Sequence, residues 1–212
     1  MTFPKLDDPD LAYEARVHLG DGSMSEYRYV ISGNRLDETE YYKDVLVPLF
    51  ERLYSLTPTL AFQDNCVYLR IYSKELVSFK HVQLGIPIGR KLDLRIPACL
   101  NTNISNAAYM TSGLYDTDGC VKIRHDKSGD YPRISLGQKH MELVREVRRI
   151  LQSFRISSTM YRNDYADPRS GKTATRWFLD INGFENFDMF VSIIGTRSPY
   201  VQKRIDAVDA IR

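Results

Sequence analysis

Two stretches of this chain, set roughly 100 residues apart, follow the same order of parts, and that repeat limits the fold more than any other feature. The first reads as a helix from Leu11 to Gly20, an Asp21-Gly22 pair, and a strand Tyr27-Arg28-Tyr29-Val30-Ile31-Ser32-Gly33-Asn34. The second reads as a helix from Tyr109 to Thr117, an Asp118-Gly119 pair, and a strand Tyr131-Pro132-Arg133-Ile134-Ser135-Leu136-Gly137-Gln138. Each half continues with an amphipathic helix, a strand pair and a further helix. In the first half that helix follows Asp37-Glu38-Thr39-Glu40, a start resembling a capping box, and runs into Val45, Leu46, Leu49, Phe50 and Leu53 at helical spacing. In the second it runs from His140 through Leu143, Val144, Val147, Ile150 and Leu151.

The strands alternate clearly, which assigns their side chains to opposite faces of a sheet. Val67, Leu69 and Ile71 face inward, with Tyr68, Arg70 and Tyr72 opposite them. Val121 and Ile123 oppose Lys122 and Arg124, and Trp177, Leu179 and Ile181 oppose Arg176, Phe178 and Asp180. Interleaved Arg, Lys and Tyr on a solvent face suits a nucleic-acid groove as well as a solvated surface. Gly and Pro cluster from Gly85 to Pro97, which places a boundary near residues 90 to 100 and predicts halves at 1–95 and 96–212.

Composition narrows the remaining classes. With 212 residues, 43% hydrophobic and 26% charged, the chain can build a real core, which excludes disorder, collagen-like repeats and coiled coils. A net charge of +2 does not by itself indicate a nucleic-acid partner, so any basic footprint must come from segregation of charge onto one face. Cys66, Cys99 and Cys120 are odd in number and form no CxxC pair, which fits neither a disulfide framework nor a zinc site. The uncharged stretch Ile96–Tyr115 is too rich in Asn, Thr and Ser to span a bilayer, and the N-terminus lacks a secretory pattern. The expectation is a soluble, cytoplasmic protein without a membrane partner.

Thr111-Ser112-Gly113-Leu114-Tyr115-Asp116-Thr117-Asp118-Gly119 resembles the second motif of the LAGLIDADG homing endonucleases. Glu14-Ala15-Arg16-Val17-His18-Leu19-Gly20-Asp21-Gly22 resembles a degenerate first copy, similar to archaeal and intein-borne members. The resemblance extends to Tyr27–Asn34, Tyr72–Leu76 and Arg95-Ile96-Pro97, and so covers nearly the whole chain. It implies an α+β fold of two pseudo-symmetric αββαββα halves whose antiparallel sheets form a saddle over duplex DNA. It also implies a monomeric, metal-dependent endonuclease that makes double-strand breaks at a long asymmetric site. The alternative is a weakened or inactive relative that serves as an intron-RNA maturase or a DNA-binding regulator, with intron RNA as partner.

Two motif helices packed side by side would bring Asp21 and Asp118 together at their C-terminal ends, where helix dipoles favour cations. Mg²⁺ suits such a pair, because it needs few carboxylates and keeps waters and substrate phosphates in its shell. Gly20 and Thr117 are the further expected metal-site residues. Small residues at the crossing, Ala12, Ala15 and Gly20 against Ser112, Gly113 and Thr117, would allow the close approach. Arg16 and Glu14 depart from the pattern: Arg16 must turn out of the seam, find a carboxylate such as Asp116, or weaken the interface. Asn34 and Gln138, at matching places after the two strands, and Arg95 or Lys122 are the candidates to support hydrolysis. The expected DNA contacts are Arg28, Tyr68, Arg70, Tyr72, Lys122, Arg124, Arg133, Arg162, Arg169, Lys172 and Arg176, the last few helped by a long loop from Asn163 to Thr175.

Other motifs fail on their own requirements. Ser170-Gly171-Lys172-Thr173 lacks the earlier P-loop glycine, and a strand follows it. Around Asp116-Thr117-Asp118-Gly119, Leu114 and His125 stand where a calcium loop needs acids. The four histidines show no metal spacing, and His18 reads as a packing residue.

Overall fold

The computed structural model describes residues 1–91, 95–100, 103–127, 129–166, 171 and 173–211. Helix α1 (Pro9–Asp21) begins where the Asp8 carboxylate accepts from the Asp10 N–H at 2.8 Å, and Pro9 opens the first turn. Helix α5 (Ile104–Asp118) begins in the same way at Asn103, whose side chain accepts from Asn106 N–H at 2.8 Å. Both helices start earlier than their apolar pattern suggests, because polar caps rather than core residues set their ends. Each runs straight into a strand at a glycine of identical backbone geometry, Gly22 or Gly119 (φ −85°, ψ 161°).

The first half builds strands β1 (Gly22–Met24), β2 (Arg28–Asn34), β3 (Thr59–Gln63) and β4 (Cys66–Tyr72) into an antiparallel sheet of order β1-β2-β4-β3. The second repeats that order, β5-β6-β8-β7, from β5 (Gly119–Asp126), β6 (Gly129–Gln138), β7 (Thr159–Ala166) and β8 (Thr173–Asn182). Tyr29, Ile31, Val67 and Leu69 in one sheet, and Val121, Ile134, Leu136 and Leu179 in the other, are buried beneath the helices as the alternation predicts. The stretch from Asn163 to Thr175, expected as a loop, is instead mostly the paired ends of β7 and β8, which extend to Ala166 and Thr173.

Between the strand pairs of the first half, helix formation starts at Arg35 rather than near Asp37. Asn34 accepts from Leu36 N–H at 2.8 Å, and Glu38 reaches back to the Asn34 N–H. Helix α2 (Arg35–Glu40) passes through a π-helical segment, Tyr41–Leu46, into α3 (Val47–Tyr54). The wider π turn accommodates Pro48, which has no N–H and whose ring crowds the preceding turn of an α-helix. Helices α4 (Lys74–Leu84), α6 (Met141–Ser153) and α7 (Phe184–Ile193) complete the repeat, and α8 (Pro199–Asp209) adds a last helix to the second half beyond the expected αββαββα. Among the described residues, no helix is long and apolar enough to cross a membrane. All three cysteines are free thiols.

Helices α1 and α5 pack along each other and join the two halves. Gly113 makes this approach possible, since a Cβ there would lie 2.5 Å from the Tyr13 carbonyl oxygen. The interior also takes up charge. Glu14 is fully buried and accepts from the Lys80 ammonium, the Tyr29 hydroxyl and, at 2.8 Å, the Tyr54 hydroxyl. Asp116 accepts from Tyr13 OH at 2.6 Å, Arg197 N–H at 2.9 Å and the Thr196 hydroxyl, so it ties the chain after α7 to the seam. Gly113→Ala should force the two helices apart and cost about 1–3 kcal/mol of stability, in the range of overpacked cores. Chemical denaturation would measure it, and an unshifted midpoint would show that the seam is not tight there.

Candidate active site at the helix seam

The C-terminal ends of α1 and α5 bring Asp21 and Asp118 together. Asp118 Oδ2 lies where a Cβ on Gly20 would stand 2.7 Å away, with the Thr117 hydroxyl closer still. Burial, then the Asp118 and Glu38 charges, push Asp21 up to about 8. Burial also raises Asp118, while Gln138, Lys91 and Arg16 pull it back down. Asp21 thus meets burial and two neighbouring acids, with Lys91 opposing them, and a divalent cation would add positive charge there. Among the described residues, no group of three or more His, Cys, Asp or Glu is placed to hold a metal. An ion such as Mg²⁺ would need only one or two carboxylates and complete its shell with water and phosphate oxygens.

Two residues that the sequence reading missed complete this centre. Lys91 donates to the His18, Leu19 and Gly20 carbonyls at 2.6, 3.0 and 3.4 Å, which places an ammonium on the negative end of α1. Burial lowers it to about 8 against the upward pull of Asp21 and Asp118. Arg95, expected in that role, instead lines a separate cavity with Leu84, Ile86 and Ala98. The second residue is Glu38, raised by burial and within electrostatic reach of both aspartates. Its carboxylate lies over Gly33, where it excludes any side chain.

Strand register corrects the expected pairing of Asn34 with Gln138. Gly22 pairs with Ile31 and Gly119 with Leu136, so the counterpart of Gln138 is Gly33, one residue before Asn34. Gln138 is buried against Asp118, whereas Asn34 is exposed and its carbonyl oxygen caps α2. Beside Asp118, Gln138, Lys91, Lys139 and Arg176 line a cavity of about 290 Å³. Arg16 neither turns outward nor meets Asp116. It is fully buried, its three guanidinium nitrogens have no hydrogen-bond partner among the described residues, and burial lowers it to about 10. Glu146 and then Asp118 are the carboxylates that act on it.

On either side of the seam, among the described residues, one face of each sheet is buried beneath the helices while the other is mostly half-buried or exposed. In the first sheet, register places Arg28 opposite Tyr72, Val30 opposite Arg70 and Ser32 opposite Tyr68 on that face, and the four strands contain no acid. Arg70 lies over the Tyr68 ring at 4.9 Å. In the second sheet Lys122 stands opposite Arg133 and Arg124 opposite Tyr131, while Arg176 lies over Tyr165 at 5.8 Å. Arg162 does not join them: it is registered with Trp177, on the opposite face from Arg176, and pairs with Asp164 at 2.8 Å. Arg169 and Lys172 lie outside the described residues.

Residues 106–195 match the family model described as a LAGLIDADG-like domain. The ribonucleoside-diphosphate reductase NrdEB subunit alpha of Bacillus subtilis is 23% identical over 95% of this chain, which spans about a fifth (20%) of that protein's length. Among solved structures, the homing endonuclease I-DmoI in complex with DNA and Ca is similar at TM-score 0.65 and 18% identity, covering 98% of this chain and all (100%) of that one. Full-length DUF199/WhiA from Thermatoga maritima is similar at TM-score 0.59 and 14% identity, over 100% of this chain and 61% of that one.

The aspartate pair has a pH signature. In the presence of a chelator, folded Asp21 keeps its proton up to about pH 8, whereas an unfolded aspartate loses it near pH ~4. The stability this contributes is whole below the lower value and is lost as pH rises through the higher one. Asp21→Asn, neutral throughout, should therefore melt at a higher temperature than the wild type at pH 8, with the gap closing towards pH ~4. Parallel pH dependences in the two proteins would show that Asp21 is ordinary.

Proposed function

From a chain with the two-halved LAGLIDADG fold and a LAGLIDADG-like domain at residues 106–195, we propose a monomeric, site-specific DNA endonuclease that makes double-strand breaks. The observation that carries this reading is the pair of buried carboxylates, Asp21 and Asp118, at the ends of two packed helices between two basic and aromatic sheet faces. A protein that only bound DNA would have no use for two buried acids converging at the helix ends, one of which raises the proton affinity of the other. Asp21 and Asp118, with the backbone of Gly20 and Thr117, would hold Mg²⁺ or another divalent cation. The metal would activate water and neutralise charge developing on the scissile phosphate.

This chain's own groups supply the rest. Lys91 sets a fixed positive charge at the end of α1, and its lowered proton affinity allows it to release and regain a proton near neutral pH. Gln138 orients Asp118. Arg28, Arg70, Lys122, Arg124 and Arg176 contact the duplex, and the halves at 1–95 and 96–212 each engage one side of an asymmetric site. A match confined to a fifth (20%) of a much longer relative suits a unit that resides inside other proteins. A DNA-binding regulator that does not cut is the second reading, motivated by Arg16, a buried guanidinium in the first motif helix where the LAGLIDADG pattern has a small residue.

Selection from randomised duplexes with Mg²⁺ tests both. The wild type should cut a discrete set of sites on both strands, with binding that weakens steeply as salt rises. Asp21→Asn and Asp118→Asn should each lower cleavage by about a thousandfold, the equivalent of several kcal/mol of charge stabilisation, while binding in Ca²⁺ persists. A wild type that binds one site tightly and never cuts it would sink the nuclease and establish the regulator.

A further inference from the structure

Among the described residues, the uncovered face of the second sheet holds two acids that a polyanion-binding surface should avoid, Asp126 at the exposed end of β5 and Asp180 in the middle of the face. Asp180 is 3% exposed and lies on that face, registered between Ser135 of β6 and Thr159 of β7. Ser135 Oγ donates to its Oδ1 at 2.7 Å, Tyr161 OH donates to Oδ2 at 3.3 Å, and Arg133 Nη1 lies 3.1 Å from Oδ2. The same arginine donates from Nε to Asn182 Oδ1 at 2.7 Å. Two anchors on β8 thus hold the guanidinium from two of its nitrogens. Nη2 has no hydrogen-bond partner among the described residues, and the side chain is 24% exposed.

We propose that Arg133, clamped by Asp180 and Asn182, reads a guanine in the major groove, and that the neighbouring cations serve the phosphates. This rests on the DNA-binding reading above and names a specificity-determining residue within it. Guanine offers two acceptors, O6 and N7, on its groove edge, and a planar guanidinium of fixed direction can satisfy both. Fixing that direction before binding removes the entropy cost of ordering a long side chain, which makes a mismatched base costly. Arg133 lies on an interior strand between β5 and β8, opposite Lys122. Lys122 and Arg124 are exposed and have no hydrogen-bond partner among the described residues. A mobile charge can follow a phosphate but cannot discriminate among bases. Among the described residues, Arg70 and Arg176 are held by an aromatic ring alone, which fixes a plane but not the donor direction. Asp180 and Asn182 act as positioning residues through Arg133.

Binding selections from randomised duplexes in Ca²⁺, read by sequencing, test this. The wild type should enrich a G·C pair at one position. Arg133→Gln should reduce that preference about ten- to a hundredfold and leave the rest of the selected sequence intact. Asn182→Ala, which frees one side of the guanidinium without removing it, should weaken the preference at the same position alone. Lys122→Gln and Arg124→Gln should lower affinity evenly across sequences and reduce the salt slope by about one each. If Arg133→Gln weakens all sequences evenly, Arg133 is a phosphate contact and the proposal falls while DNA recognition stands. If the wild type enriches no sequence, the DNA reading falls and takes this proposal with it.

Discussion

The close packing of α1 on α5 is the constraint from which the rest of the structure follows. Each helix ends at an aspartate and passes through glycine into a strand, so the separation of the helix axes also sets the separation of the carboxylates and of the two sheets. Gly113 against the Tyr13 carbonyl, and Gly20 against Thr117 and Asp118, are the points where a methyl group would open the crossing. Two carboxylates held together cannot both ionise at low cost in a partly buried site. The same contact that stabilises the fold therefore stores unfavourable charge at its end, which a cation would relieve.

The seam and its flanks bury more charge than an apolar core would hold, and each group is handled differently. Glu14 has a matched cation and two phenolic donors, so removing Lys80 alone would strand a carboxylate, a loss typically larger than the net value of the pair. Among the described residues, Asp116 has no ammonium or guanidinium in hydrogen-bond contact and is satisfied by hydroxyl and backbone donors, while the Arg197 guanidinium lies 4.4 Å over the Tyr13 ring and pairs with Asp10 at 2.6 Å. Arg16 has no hydrogen-bond partner among the described residues, yet it lies within the fields of Glu146 and Asp118. Its charge offsets part of the surplus at the helix ends, which explains how the seam tolerates a guanidinium where the LAGLIDADG pattern has a small residue.

What could be read from the sequence depended on periodicity. Strand alternation placed Arg70, Lys122, Arg124, Arg133 and Arg176 on uncovered faces, because a period of two admits little ambiguity. The Asp-Gly pairs located both helix ends for the same reason: cap and turn chemistry is local. Aligning Ser32-Gly33-Asn34 with Leu136-Gly137-Gln138 on their shared glycine, however, slips the register by one. A slip of one moves a side chain to the other face, which is why Asn34 faces solvent and Gln138 faces Asp118. Arg162 was misplaced for want of a partner, since its strand is too polar for alternation to show a face, and pairing with β8 decides it. Lys91 was invisible because a linker has no period, and its reach to the α1 carbonyls depends on the path of the chain after Gly85.

The repeat also conceals a difference between the two halves that bears on chemistry. Beside Asp118, Gln138 is a neutral donor on an open cavity. Beside Asp21, Gly33 leaves room that the Glu38 carboxylate and the Tyr42 hydroxyl take up, with Lys91 on the other side. One aspartate therefore meets an amide donor and solvent and the other meets a second acid, while the Lys91 ammonium acts on both. Electrostatics that differ this much make the two carboxylates unequal in proton affinity and in their hold on a cation. Two strands of an asymmetric duplex brought to this seam would consequently meet two different environments, although the helices that deliver the aspartates end in the same backbone geometry.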